Sequence, residues 1–414
     1  MVKSSKPSGN KKWSFALLFV ATLLSAFHFY LASYHTLLIG FKDIDVFLYS
    51  TLTYLRTGYL YDDTGPLAIT YAAGRSILKF PPLYVAPYLH WIDASSGVDH
   101  RIYLLLFSLH VLRYLLVMLL CGFFLGPFKN PRWWMLLIIV FAFCAPFYEA
   151  LYGLTFDNLF LFILAIALVL LRYRQQFLPV AFLTYAASVK LYPVIQLIPL
   201  LMARNWRRVF YCLVMLLLYL CVSLGLFGRE ANEFYYFHIL PVLLQEKVVC
   251  ETGNLSIAAQ FCSVQAPVWI LKLFFIGTTL AVAWRHINKN IPCFENESLL
   301  YAFFICLPLL IMQNLWGNYQ VILLLPVSVL LGYAFAQRGL SRSVVMTIAL
   351  LAWLPLIASD NYPAMDLFYY SWLGADLPRL MIDHLKPYSA LLLWLVLGFL
   401  LLGNKFPAKP VSMP

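Results

Sequence analysis

Charge is scarce in this chain: Lys, Arg, Asp and Glu make up only 11% of its 414 residues, against 63% hydrophobic residues. Soluble domains carry about 25% charged residues, so a soluble globular protein is excluded. The short-period alternation of a β-barrel is missing, as are repeated halves, low-complexity tracts and a separable soluble domain. The first apolar run lacks a small-residue cleavage site and is too long for a signal-peptide core, which leaves it as an anchor. No CxxC pair occurs, and the eight histidines are scattered without paired spacing, so a His/Cys metal site is not expected. Most of the eight cysteines lie inside apolar runs as small packing residues. Cys250 and Cys262 share one outward loop, where an oxidising compartment would join them.

Long apolar runs recur from end to end. Spans are expected at about 13–40, 101–126, 132–147, 157–171, 209–227, 267–284, 298–312, 319–336, 343–358 and 388–403. Such lengths match a hydrocarbon core of about 30 Å. The expected fold is therefore an all-α polytopic membrane protein with about 10 to 13 membrane helices, short re-entrant ones included. The net charge of +11 would point to nucleic acid in a soluble protein. Here the basic residues cluster at alternate junctions: Lys3/Lys6/Lys11/Lys12, Lys129/Arg132, Arg172/Arg174, Arg204/Arg207/Arg208, Arg285/Lys289, Arg338/Arg342 and Lys405/Lys409. A cytoplasmic N-terminus puts all of them inside, as the positive-inside bias requires. Anionic membrane lipids, not nucleic acid, are their expected partner.

On this topology residues 1–12 are a cytoplasmic tail, and the main outer segments are 41–100, 228–267 and 359–387 of a single domain over 1–414. The stretch 177–202 is unusual. Arg clusters bound it on both sides, yet about 26 residues are too few for two full spans. A short-helix hairpin entering from inside fits better, broken at Ser188-Val189-Lys190-Leu191-Tyr192-Pro193.

The polar residues that such a protein keeps near the membrane are its candidates for chemistry. Asp43 and Asp45 close the first span and precede an aromatic stretch (Phe47, Tyr49, Tyr54). Either they cap a span in water, or one is a base at the membrane surface, since a low-polarity setting makes a carboxylate more basic. Lys79 precedes the rigid Phe80-Pro81-Pro82 entry and offers a cation to an anionic headgroup. Lys190, deep in the hairpin, needs a counter-charge unless it snorkels, and a lipid phosphate would supply one. Glu149, Asp157, Asn158, the Gly253-Asn254-Leu255-Ser256 loop and Trp316-Gly317-Asn318-Tyr319 are junction residues that face the same side as Asp45.

The order of these features resembles glycosyltransferase family 87, a group of GT-C membrane enzymes that use polyprenyl-phosphate sugars. Asp45-Val46-Phe47-Leu48-Tyr49 is similar to the Asp-to-Tyr segment after the family's first span. Arg56-Thr57-Gly58-Tyr59-Leu60-Tyr61 resembles its Gly-x-x-Tyr segment, and Phe80-Pro81-Pro82-Leu83 its Phe-x-Tyr-Pro-Pro region. Ser188 to Pro193 with Arg207-Arg208 resembles its Lys-x-x-Pro hairpin and basic exit. Gly253 to Ser256 is similar to its Gly-Asn-x-Ser loop, and Trp316 with Tyr319 to a Trp-x-His-Tyr junction. The similarity covers about residues 10 to 340. Two positions depart from it: only Asn158 remains of a Gly-Gln-x-Asn motif, and Asn318 stands where a histidine often lies.

The resemblance implies an inner-membrane enzyme that moves a hexose, with mannose one candidate, from a polyprenyl-phosphate donor to a lipid or glycan hydroxyl with inversion, without a cofactor or metal. A phosphate leaves as a stable anion, so one base and nearby cations suffice where a glycosidase needs two carboxylates. On this implication Asp45, or else Asp43, is the base, and Lys190, Arg56 and Lys79 hold the phosphate. Asn158, Asn254 and Ser256 bind sugar hydroxyls, Trp316 or Tyr319 stacks on a sugar face, and His238 is a substitute for the missing histidine. The rival is a transporter or lipid flippase. It would concentrate ionisable groups at the midplane between repeated halves.

Overall fold

The computed structural model describes residues 9–39, 44–61, 80–95, 98–202, 206–245, 248–250, 254–262, 268–289, 294–337, 339–358 and 385–403. Its main helices are α1 (Gly9–Ile39), α2 (Ile44–Thr57), α3 (His100–Phe124), α4 (Pro131–Ala142), α5 (Ala145–Gly153), α6 (Phe156–Arg172) and α7 (Phe177–Val189). There follow α8 (Trp206–Phe234), α9 (Val268–Lys289), α10 (Phe294–Ile311), α11 (Leu324–Ala336), α12 (Gly339–Trp353) and α13 (Ser389–Gly403). No β-strand occurs among the described residues. Among the described residues seven helices are long and apolar enough to cross a membrane, and α4 with α5 makes an eighth bent by 47°. The shorter apolar helices Phe177–Val189, Tyr192–Met202 and Glu297–Ile311 accompany them. The protein is thus an all-α polytopic membrane protein.

Helix direction can be read from pairs of contacts. Asn158 Nδ2 donates to His110 O at 2.8 Å, and Arg172 donates to Phe124 O, so α3 and α6 run parallel, with α4 and α5 as the return between them. The rings of Phe177 and Tyr211 lie 5.4 Å apart and those of Tyr185 and Tyr219 5.6 Å, so α7 and α8 also rise together. The chain that follows α7 from residue 190 must therefore turn back to the level at which α7 began. This is the hairpin expected from the sequence. Pro193 lacks the N–H that a continuous helix needs; α7 stops at an extended Lys190, and Tyr192–Leu197 re-forms as a 3-10 turn.

The same reading gathers Arg132, Arg172 and Arg208 at one end of the bundle, where Arg174 and Arg208 also face Glu297. Glu149 and Asp157, at the α5–α6 turn, belong to the other end. Small residues let the helices close up at the basic end. A Cβ on Gly126 would overlap the Trp133 ring, and one on Gly332 would overlap the Leu125 carbonyl.

One sequence boundary differs. The span expected to end at 227 continues as helix through Phe234, bent at Gly228, whose φ of 73° glycine adopts without a Cβ clash. Asn232 caps the bend by donating to Gly228 O at 2.7 Å and accepting from Ser223 Oγ at 2.7 Å.

Candidate functional site

Asp157 lies in the first turn of α6, where helix N–H groups favour a carboxylate. It is fully buried and is met from two directions. Lys190 Nζ reaches Oδ1 at 2.9 Å and Tyr192 Oη donates to the same oxygen at 2.6 Å, while Asn318 Nδ2 donates to Oδ2 at 2.9 Å. Lys190 is caged by aromatic rings, its ammonium 4.2 Å from the centre of Tyr319, 5.1 Å from Tyr192 and 5.5 Å from Phe80. Two segments broken by short 3-10 turns, 190–197 and 316–323, are thereby pinned to the start of α6. In the structure the counter-charge of Lys190 is a protein carboxylate.

A second buried pair stands on the next helix. Lys386 Nζ binds Glu149 Oε1 at 2.9 Å and the Ala358 carbonyl at 3.2 Å. Gly317 packs against this carboxylate so closely that a Cβ there would overlap it. Because Lys386 restrains Glu149, Gly317→Ala should lower stability by about 1–3 kcal/mol. Thermal unfolding in detergent would read this, and an unchanged midpoint would show that the carboxylate can move aside.

Asp45 opens α2 and is half-buried. It accepts a hydrogen bond from Tyr103 Oη at 2.5 Å, near the start of α3. Asn158, beside Asp157, meets the same helix at His110, seven residues and about 10 Å further along. An aromatic wall links the two levels. Phe47 lies 5.2 Å from Phe80 and 4.5 Å from Tyr84, and Tyr84 lies 5.6 Å from Phe156. The wall is held by Tyr61 Oη donating to Phe80 O at 2.7 Å. Burial, reinforced by Tyr235 and Tyr236, pushes the Tyr61 phenol up and keeps it a neutral donor.

The other residues named from sequence take varied places. Tyr319 and Lys190 share the Asp157 centre. Asn158 borders it, fully buried, with its Oδ1 lacking a partner. Asn254 donates to the carbonyls of Val249 (2.7 Å) and Gln313 (3.1 Å) and accepts from Leu315 N at 2.9 Å. Ser256 Oγ donates to Gln313 O at 2.7 Å. Both side chains stitch their loop to the 313–315 junction, and the disulfide Cys250–Cys262 closes that loop. Trp316 is exposed and heads the 317–323 turn. His238 is exposed, its ring 5.1 Å from Phe234. Arg56, exposed at the far end of α2 from Asp45, donates to Ala94 O at 2.8 Å. Asp43 and Lys79 lie outside the described residues.

Asp157 was marked in the sequence only as a junction residue. Its signal was a carboxylate immediately inside an apolar run, with a lysine similarly placed in the next segment. Arg113 carries the same kind of signal, a guanidinium halfway along an apolar span, and belongs to no motif.

Fold and site together define a polytopic helical membrane protein with a desolvated, ion-paired polar centre at one end and an aromatic wall leading from it to a surface carboxylate. The chain belongs to glycosyltransferase family 87: the model of that family matches residues 81–311, more than half of its length. It is therefore a membrane glycosyltransferase. The matched region holds Asp157, Asn158, Lys190, His238, Asn254 and Ser256, and it is shorter than the 10–340 over which the motifs resemble the family. Neither the curated proteins nor the solved structures contain a match to this chain.

Proposed function

We propose that the enzyme transfers a hexose from a polyprenyl-phosphate carrier to a hydroxyl of a lipid or glycan, on the outer face of the inner membrane. Asp45 removes the hydroxyl proton, and the oxygen attacks the anomeric carbon as its bond to phosphate oxygen breaks. The phosphate departs with the electron pair, and the configuration inverts. No acid is needed to protonate such a leaving group, but its growing charge must be met by cations. Lys190 supplies one, held in place by Asp157.

The observation that carries this reading is the contrast among the carboxylates. Asp157 and Glu149 are buried and held by lysines at 2.9 Å, whereas Asp45 is half-buried at the start of α2 and accepts from the Tyr103 phenol near the start of α3. A carboxylate that must gain and lose a proton needs the latter setting. The outer placement is supported by the Cys250–Cys262 disulfide, which belongs to an oxidising compartment, and by the basic residues gathered at the opposite end.

The test is a transfer assay in membranes containing the full chain, with radiolabelled sugars on several polyprenyl-phosphate donors and identification of the labelled product. Label is expected in a lipid or glycan from at least one such donor. Transfer from a nucleotide sugar, with none from any polyprenyl-linked donor, would sink the donor assignment.

A further inference from the structure

Glu149 and Asp157 stand on either side of the α5–α6 turn, and each is held by its own lysine at 2.9 Å. The segment 317–320 lies against both pairs. Gly317 packs on the Glu149 carboxylate with no room for a Cβ, and Asn318 Nδ2 donates to Asp157 Oδ2 at 2.9 Å. Tyr319 sets its ring centre 4.2 Å from the Lys190 ammonium. Gln320 Nε2 donates to the Lys386 carbonyl at 3.2 Å. Four consecutive residues thus meet all four members of the two ion pairs.

The chain is fixed just before this segment as well. Leu315 N donates to Asn254 Oδ1 at 2.9 Å, and Leu255 N donates to Leu315 O at 2.7 Å. The 3-10 turn Gly317–Leu323 is therefore gripped from the 254–256 loop on one side and from Glu149 and Lys386 on the other. Stability alone does not account for the second pair. The side chains of Lys386 and Glu149 are only 1% and 7% exposed, and apolar residues of equal volume often stabilise a core as well as a buried pair does. Its contacts supply a different reason. Lys386 also draws in the Ala358 carbonyl at 3.2 Å, so the carboxylate is a fixed floor under Gly317. Lys386 and the turn both lie beyond the family match at 81–311.

We propose that Glu149 and Lys386 are positioning residues for sugar transfer. They hold the 317–320 turn, which through Asn318 and Tyr319 sets the place of the Asp157–Lys190 pair. The link between the two pairs follows from the contacts, whereas its service to the leaving phosphate rests on the role given to Lys190 above. Misplacing a reacting group by about 1 Å costs about a hundredfold in rate, so a loose turn is felt in turnover.

Glu149→Ala/Lys386→Met removes the floor under Gly317 without stranding a charge. Turnover per folded molecule is measured in nanodiscs with the polyprenyl-phosphate sugar that the native protein uses. The double variant is expected to lose about ten- to a hundredfold in kcat, with the donor KM changed by less than about threefold. A folded double variant with native kcat would overturn the proposal, because a merely structural pair changes the folded amount and not the turnover of each molecule. If the double variant does not fold, Glu149→Asp decides in its place, since it keeps the charge but draws the carboxylate back from Gly317. Lowered kcat supports the positioning role, and native kcat removes it.

Native protein that transfers from no polyprenyl-linked donor would strike the donor reading, and the coupling of the pairs then decides this one. Lys190→Met is made in the native background and in whichever of these variants folds, and thermal unfolding in detergent is compared. A smaller shift of the midpoint is expected where the turn is already released. Equal shifts would show that the pairs are independent and overturn the proposal.

Discussion

Asp45→Asn is expected to lower sugar transfer by roughly a hundred- to ten-thousand-fold while the protein still folds and inserts. The two side chains have nearly the same shape. The amide can still accept from Tyr103 Oη, which lies 2.5 Å from the native carboxylate, so the start of α2 stays docked on α3. What is lost is the capacity to take a proton from an acceptor. Donor binding, measured separately with a polyprenyl phosphate, should be unchanged, because the cation proposed to meet the phosphate, Lys190, lies on the 190–197 turn. Full transfer activity in Asp45→Asn would remove this residue from the mechanism. Loss of both binding and transfer would make it structural.

The second large effect concerns stability. Lys190→Met leaves Asp157 fully buried beside Tyr192 and Asn318 without its cation, at a cost of about 3–5 kcal/mol. Asp157→Asn strands the ammonium in its aromatic cage and should cost a comparable amount. The double variant, which removes both charges, is expected to recover much of the loss, since a buried pair replaced as a unit is often close to neutral. Unfolding of the purified protein in detergent would measure the cycle. Losses that simply add in the double variant would show that the two residues do not act as a pair. The same experiment separates two roles of Lys190. A double variant that is stable yet inactive would show that the lysine serves the reaction as well as the fold.

Both predictions depend on which carboxylate faces which lysine, and that is where the sequence ran out. The helical class was legible because bilayer spanning imposes a coarse, local rule: about 20 apolar residues between polar junctions. The hairpin could be read for the same reason, from two Arg clusters too close together for two spans and a Pro at the break. Family resemblance was carried by short motifs whose order alone was informative, and it marked Lys190 and Tyr319, which do meet. Partnership was not legible. Lys190 and Asp157 are separated by 33 positions and Lys386 and Glu149 by 237, and any of several acids near the same face would have served as well on paper.

Sequence by itself determined the membrane class, the alternation of spans, the basic end of the bundle and the re-entrant break at Pro193, because each follows from hydropathy, charge and chain stiffness over a few residues. Tertiary structure alone decided that Lys190 pairs with Asp157, that Lys386 pairs with Glu149, and that Asn254 and Ser256 hold their loop to the 313–315 junction. These outcomes depend on the rotation and depth of one helix against another. A shift of one residue turns a side chain by about 100° and moves it by about 1.5 Å, and only packing selects among such positions.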